Sequence, residues 1–133
     1  AAWIGAQVRS TAGATFDGTQ PVELSLTPPA EPADVAMLVV RDAMGAQVAS
    51  DAVDPGARVH LWRGLGPDGL PLPPGHYRFE LTGFRDGVPE ALPLPEAFAR
   101  VREVRRGAEG VMLGLEGGVT VPAAEVSVLR GGG

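Results

Sequence analysis

The 133-residue sequence contains no cysteine, which removes disulfide frameworks, thiolate metal sites and cysteine nucleophiles from consideration and leaves the compartment open. It contains no lysine either. All eleven basic residues are arginine, which alongside the wealth of Ala, Gly, Pro and Val reads as genomic base composition rather than chemistry. Aromatic residues are scarce: Trp3, Phe16, Trp62, Tyr77, Phe79, Phe84 and Phe98. The interior must therefore be filled by Val, Leu, Ala and Met, a supply that suits two small cores better than one large one. The only histidines, His60 and His76, each adjoin an inward-facing neighbour on a strand and are expected to point the other way. No His/Asp/Glu grouping has ligand-like spacing, so neither metal nor cofactor is expected. No apolar run approaches the roughly 18 residues of a membrane span, and no charged start followed by an apolar stretch marks a signal peptide. The net charge of −5 argues against a nucleic-acid surface, which needs clustered cations in excess. Ser10, Ser25, Ser50 and Ser127 lie in no Gly-x-Ser-x-Gly elbow, the carboxylates scatter over turns and strand ends, and no Gly-rich loop leads into a helix. An enzyme is not expected. The chain opens at Ala1 without Met, which suggests a fragment whose targeting information lies elsewhere.

What the sequence does have is punctuation. Nineteen glycines and thirteen prolines fall between short runs of alternating apolar residues, the pattern of many short strands and an all-β fold. Val22–Leu26 alternates strictly. Val35–Arg41 is more continuously apolar and predicts a central strand buried on both faces. Asp42 and Gly45 occupy the positions a type I turn favours, with Gln47–Ala52 returning as the hairpin partner. Arg58–Trp62 and Tyr77–Leu81 continue the alternation, and Arg85-Asp86-Gly87 closes it. These strands make a small sandwich over residues 21–88. Past Pro95 the strands shorten: Phe98–Val104, Val111–Leu115, Val119–Val121 and Val126–Leu129, joined by Gly-rich turns. Four such strands do not close a core alone. The isolated segment Trp3–Val8 supplies another, so residues 1–20 and 89–133 are expected to form a discontinuous small barrel into which the sandwich is inserted.

The block from Trp62 to Phe79 carries the clearest order: Trp-x-Gly, then Asp-Gly, then Leu-Pro-Pro-Gly-x-Tyr-x-Phe. Trp62 and Tyr77 invite a reading as a stacking platform for a sugar; the competing reading has Trp62 capping the sandwich core and Tyr77 packing inside with its hydroxyl bonded at a corner. Asp68-Gly69 reads as a tight turn needing positive φ, and Pro73-Pro74-Gly75 as a rigid lead into the next strand. Arg100, Arg102, Arg105 and Arg106 form the one basic cluster, suited either to an acidic patch on a partner or to a solvated face beside Glu103 and Glu109.

Ile4-Gly5-x-Gln7-Val8, Val40-x-Asp42-Ala43-x-Gly45, the Trp62–Phe79 block, and Leu113-x-Leu115-x-x-Gly118-x-x-Val121-Pro122-x-x-Glu125-Val126 together resemble the flagellar hook-capping family, also called basal-body rod modification proteins. The resemblance runs in order along almost the whole chain. It implies an immunoglobulin- or fibronectin type III-like sandwich inserted into a Tudor/SH3-like barrel, with Gly5, Gly45, Trp62, Gly69, Pro73, Gly75, Tyr77, Phe79 and Gly118 as residues of the fold signature. It also implies a hook assembly scaffold: a homo-oligomeric, pentameric cap, exported through the flagellar type III apparatus, standing extracellularly at the hook tip and acting on hook protein. Trp3 stands where a smaller aliphatic is usual, and Arg63 where an acid commonly follows the Trp. Methyl-lysine recognition is not carried over from the Tudor likeness, because the barrel segments supply only Trp3, Phe16 and Phe98 toward an aromatic cage. The other reading of the middle block is an accessory immunoglobulin-like module that binds carbohydrate or a cell surface; such a module has no use for the flanking segments at 4–8 and 111–126.

Overall fold

In a computed structural model of the chain, which describes residues 3–131, the alternation in sequence becomes alternation in burial. The strands run β1 (Gln7–Ser10), β2 (Ala14–Phe16), β3 (Val22–Ser25), β4 (Val35–Arg41), β5 (Gln47–Val53), β6 (Val59–Trp62), β7 (Gly75–Arg85), β8 (Val88–Ala91), β9 (Ala97–Gly107), β10 (Gly110–Leu115), β11 (Thr120–Pro122) and β12 (Val128–Arg130). One 3₁₀ turn, Ala123–Glu125, precedes β12. The fold is all-β.

Two sheets face each other across the larger core. One has the order β2-β7-β4-β5, and β8 shares with β2 the edge of β7 that β4 leaves open; the other is the ribbon β3-β6. Leu24 from the ribbon meets Leu38, Val40, Tyr77 and Phe79 from the larger sheet, with Phe16 and Trp62 filling one end. Burying each such side chain stabilises the fold by roughly 1.5–3 kcal/mol before the entropy of ordering is counted.

The smaller core lies under a third sheet, β11-β10-β9-β1-β12, so the first strand of the chain pairs with the last, Gln7 opposite Arg130. Val8, Ala99, Val101, Leu113, Leu115 and Val121 fill it, with Trp3, Val104, Val119 and Val126 packed around them. Between β9 and β10 the register slips, Leu115 facing Val101 while Gly114 faces Glu103. Arg102 is thus the extra residue of a bulge, the device that bends a strand and lets a narrow sheet curl over its own core.

Two local expectations change and one holds. β4 is buried on one face only: Ala36, Leu38 and Val40 point inward while Met37 and Val39 are half-exposed and Val35 is exposed, as a two-layer sandwich requires. Arg85-Asp86-Gly87 does close its strand, and Asp86-Gly87, both at positive φ, turn β7 into β8. β2 lies within the segment 1–20 assigned to the barrel but pairs with β7, Ala14 opposite Tyr77, because Phe16 is needed in the larger core. Residues 1–2 and 132–133 of the expected barrel segments lie outside the described residues.

Candidate functional site

The Trp62–Phe79 block forms one end of the larger core. Trp62 is 1% exposed and surrounded by Phe16, Tyr77 and Phe79 at ring centroid separations of 5.2, 5.1 and 5.3 Å, all tilted or edge-on, the arrangements that aromatic quadrupoles favour. No ring face is left for a sugar. Gly64, at φ +75°, lies against this cluster: a Cβ there would be 2.1 Å from Phe16 Cζ. The chain then leaves through the turn at Gly66–Gly69 and returns to β7, where the Tyr77 hydroxyl donates to the Pro73 carbonyl at 2.5 Å. Burial, and after it the charge of Asp42, pushes the Tyr77 phenol above its ordinary range. Gly69 at φ +78° has the backbone its turn demands, whereas Gly75 has no positive φ and serves as the first residue of β7. Gly5, Gly45 and Gly118 occupy positive-φ turns. In the Gly45 turn, Asp42 Oδ1 accepts the N–H groups of Met44 and Ala46 at 2.9 and 3.0 Å.

The four arginines of the basic cluster do not converge. Arg100 Nη1 donates to the Gly5 carbonyl at 2.6 Å and its backbone N–H to Glu116 Oε1 at 2.9 Å, so its side chain fixes the entry to β1. Arg105 pairs with Glu103 at 2.9 Å, and that partner, by hydrogen bond and charge, holds the Glu103 carboxyl below its usual range. Arg102 extends from the bulge, and Arg106 borders a shallow apolar surface with Trp3, Ile4 and Val104. The bulge, invisible to a strict period of two, scatters residues that spacing alone gathers.

Sequence spacing holds no sign of the contacts that tie the sandwich to the five-stranded sheet. Arg9 on β1 donates through Nε to Glu96 Oε1 at 3.1 Å and to Ser127 Oγ at 3.2 Å, and through Nη1 to Ser25 Oγ at 3.4 Å on the ribbon; Ser127 Oγ donates to the same Glu96 oxygen at 2.8 Å. Ser25 and Glu96 exchange backbone hydrogen bonds as well. At a second point His76 Nε2 lies 2.8 Å from the Ala12 carbonyl, with the ring against the Gly117 turn of the five-stranded sheet, where a Cβ on Gly117 would be 2.8 Å from both His76 Nδ1 and Thr15 Oγ1. Burial, opposed by the Ala12 carbonyl, holds the imidazole below its ordinary value of 6.5. His76 thus faces away from the larger core, as expected, but is enclosed by the junction. His60 differs from its expectation: Val59 and Leu61 face solvent, and His60 shares the inner side with Trp62, its Nε2 3.1 Å from Asp51 Oδ2. Among the described residues no group of three His, Asp or Glu side chains converges as a metal site would need, and no helix is long and apolar enough to cross a membrane.

The sequence model of the FlgD Ig-like domain matches residues 10–87, which hold β2 through β7. Among solved structures, FlgD from P. aeruginosa superposes with a TM-score of 0.81 at 23% identity, over 96% of this chain and 99% of that one. FlgD from Xanthomonas campestris, described for hook capping in flagellar assembly, gives 0.73 at 25% identity over 98% and 96%. Truncated FlgD from Helicobacter pylori gives 0.51 at 18% identity over 97% and 94%. No curated protein sequence matches the chain. With more than half its length covered by that one model, and with the sandwich and the curled sheet both present, the chain belongs to the FlgD Ig-like domain family.

Proposed function

We propose that this chain is the β-structured part of a flagellar hook-capping scaffold, which promotes addition of hook-protein subunits at the distal tip of the growing hook. The observation that carries the reading is the likeness to the X. campestris hook-capping FlgD over 98% of the chain, which takes in the unit built from both chain ends as well as the sandwich. An accessory immunoglobulin-like module needs only the sandwich, and the glycan-binding form of that alternative needs ring faces that Trp62 and Tyr77 keep buried. A strand order of β11-β10-β9-β1-β12 with a 3₁₀ turn before the last strand supports reading the smaller unit as a Tudor/SH3-like barrel. The two-unit division of 1–20 plus 89–133 around 21–88 belongs to the same reading, its limits moved outward so that β2 and β8 join the sandwich. A stiff β body that presents surfaces rather than a deep chemical pocket suits a cap that guides subunits and is then displaced. In this reading the working form is a homo-oligomer, pentameric, with sequence upstream of Ala1 contributing to assembly, exported through the type III apparatus and acting outside the cell on hook protein; of the basic cluster, Arg102 and Arg106 form no ion pair among the described residues and are the members placed to meet it. Deleting the gene in its host tests the proposal: hooks are expected to fail and to return on complementation, and normal hooks with normal motility overturn it.

A further inference from the structure

We propose that the outer edge of β6 is a strand-addition site for an extended segment of another polypeptide, one with apolar residues two apart and acidic residues at its ends. Leu26 donates its backbone N–H to the Arg58 carbonyl at 2.9 Å, and the register then runs Ser25 opposite Val59, Leu24 opposite His60 and Glu23 opposite Leu61. Hydrogen-bonded residues alternate along an antiparallel ladder. Arg58, His60 and Trp62 therefore commit their backbone groups to β3, while Val59 and Leu61 turn theirs away from it. Ser25, opposite Val59, fixes this parity independently by exchanging both of its backbone hydrogen bonds with Glu96 on the far side of β3, at 2.7 and 2.9 Å. Beyond β6 no strand follows, and the N–H and C=O groups of Val59 and Leu61 have no partner among the described residues. Donors and acceptors alternating at strand spacing are satisfied together by one kind of occupant, another extended chain.

The side chains specify what that chain carries. Val59 and Leu61 are 53% and 56% exposed on the outer face of the ribbon, so the occupant needs apolar residues at the same two-residue interval. Arg58 and Arg63 are exposed at the two ends of the pair and form no ion pair among the described residues, although the protein as a whole is acidic. They favour carboxylates at the ends of the occupant. Three other edges are defended: β8 carries Pro89, β11 carries Pro122, and β5 presents Gln47 and Ser50. The site goes beyond the hook-capping reading and stands without it, because its chemistry specifies a backbone and a charge pattern, whichever protein supplies them.

The test titrates the nitrogen-15-labelled 133-residue chain with the capped heptapeptide ETVTVTE and follows its amide resonances. The amides of Val59 and Leu61 are expected to shift and to exchange more slowly with solvent. Methylating the backbone nitrogen of both peptide valines blocks the bonds that the edge would make and is expected to abolish binding without touching the protein. A KTVTVTK peptide is expected to bind about fivefold more weakly than the acidic one at low salt, and the Arg58→Gln/Arg63→Gln variant to erase that preference. Shifts centred away from β6, equal binding of the methylated peptide, or a preference unaltered by the arginine variant overturn the proposal.

Discussion

At the scale of single residues the most constrained position is a glycine with no chemistry of its own. Gly64 needs both a left-handed backbone and the empty space that Phe16 fills, since an added Cβ falls 2.1 Å from that ring. Phe16 cannot retreat, because Trp62 and Tyr77 hold it at centroid distances of 5.2 and 6.2 Å. Gly69 has a nearly identical φ, +78° against +75°, yet nothing lies within 4 Å of its Cβ position. The pair separates packing from backbone strain. Gly64→Ala is expected to lower the free energy of unfolding by about 3 kcal/mol, and Gly69→Ala by about 1 kcal/mol, in urea titrations followed by tryptophan fluorescence; equal losses would show that the ring cluster yields more readily than its geometry implies. Trp-x-Gly was visible in the sequence as a pattern, but the reason for the glycine lies in Phe16, which sequence places 48 positions away from it.

Among elements, what the sequence made legible was whatever has a short period. Tyr77, Phe79 and Leu81 alternate inward as read, and β1 and β12, from the two ends of the chain, share a sheet. The inverted face of β6 escaped because Val59 and Leu61 are the apolar residues there, yet the sandwich needs the volume of Trp62, which fixes the opposite parity. The Arg102 bulge escaped because one inserted residue inverts the alternation downstream of it. The tie from Arg9 to Glu96 joins residues 87 apart, beyond any periodicity. Their side chains are 31% and 28% exposed, between a free surface pair and a buried one. Glu96→Ala, which also deprives Ser127 of its acceptor, is expected to cost about 1–2 kcal/mol, and a cycle with Arg9→Ala to give a coupling of about 0.5–1 kcal/mol. Additive losses in that cycle would mean that the backbone exchange between Ser25 and Glu96 holds the modules together by itself.

For the whole molecule, the junction that encloses His76 sets the response to pH. His76, enclosed between Ala12 and the Gly117 turn, takes up a proton less readily in the folded chain than at its ordinary 6.5. The unfolded chain therefore binds that proton first as pH falls, so the stability tied to His76 is complete above about 6.5 and declines below it. Urea midpoints between about pH 7.5 and 5 are expected to fall with acidification, and less steeply in His76→Gln; identical slopes would remove His76 from the linkage. In the hook-cap reading this part of the scaffold lies at the periphery of the cap, so the 133-residue chain is expected to sediment as a monomer, and a tight dimer or pentamer independent of concentration would contradict it. The pairing of β1 with β12 also sets an order of folding. Gln7 and Arg130 are 123 residues apart, and closing so wide a loop in an unfolded chain is slow. Once the sandwich has formed, Ala14 lies opposite Tyr77 and Ser25 opposite Glu96, and most of that loop is already closed. In a chain without a single cysteine, the inserted sandwich takes the place of a cross-link for the sheet that surrounds it in sequence.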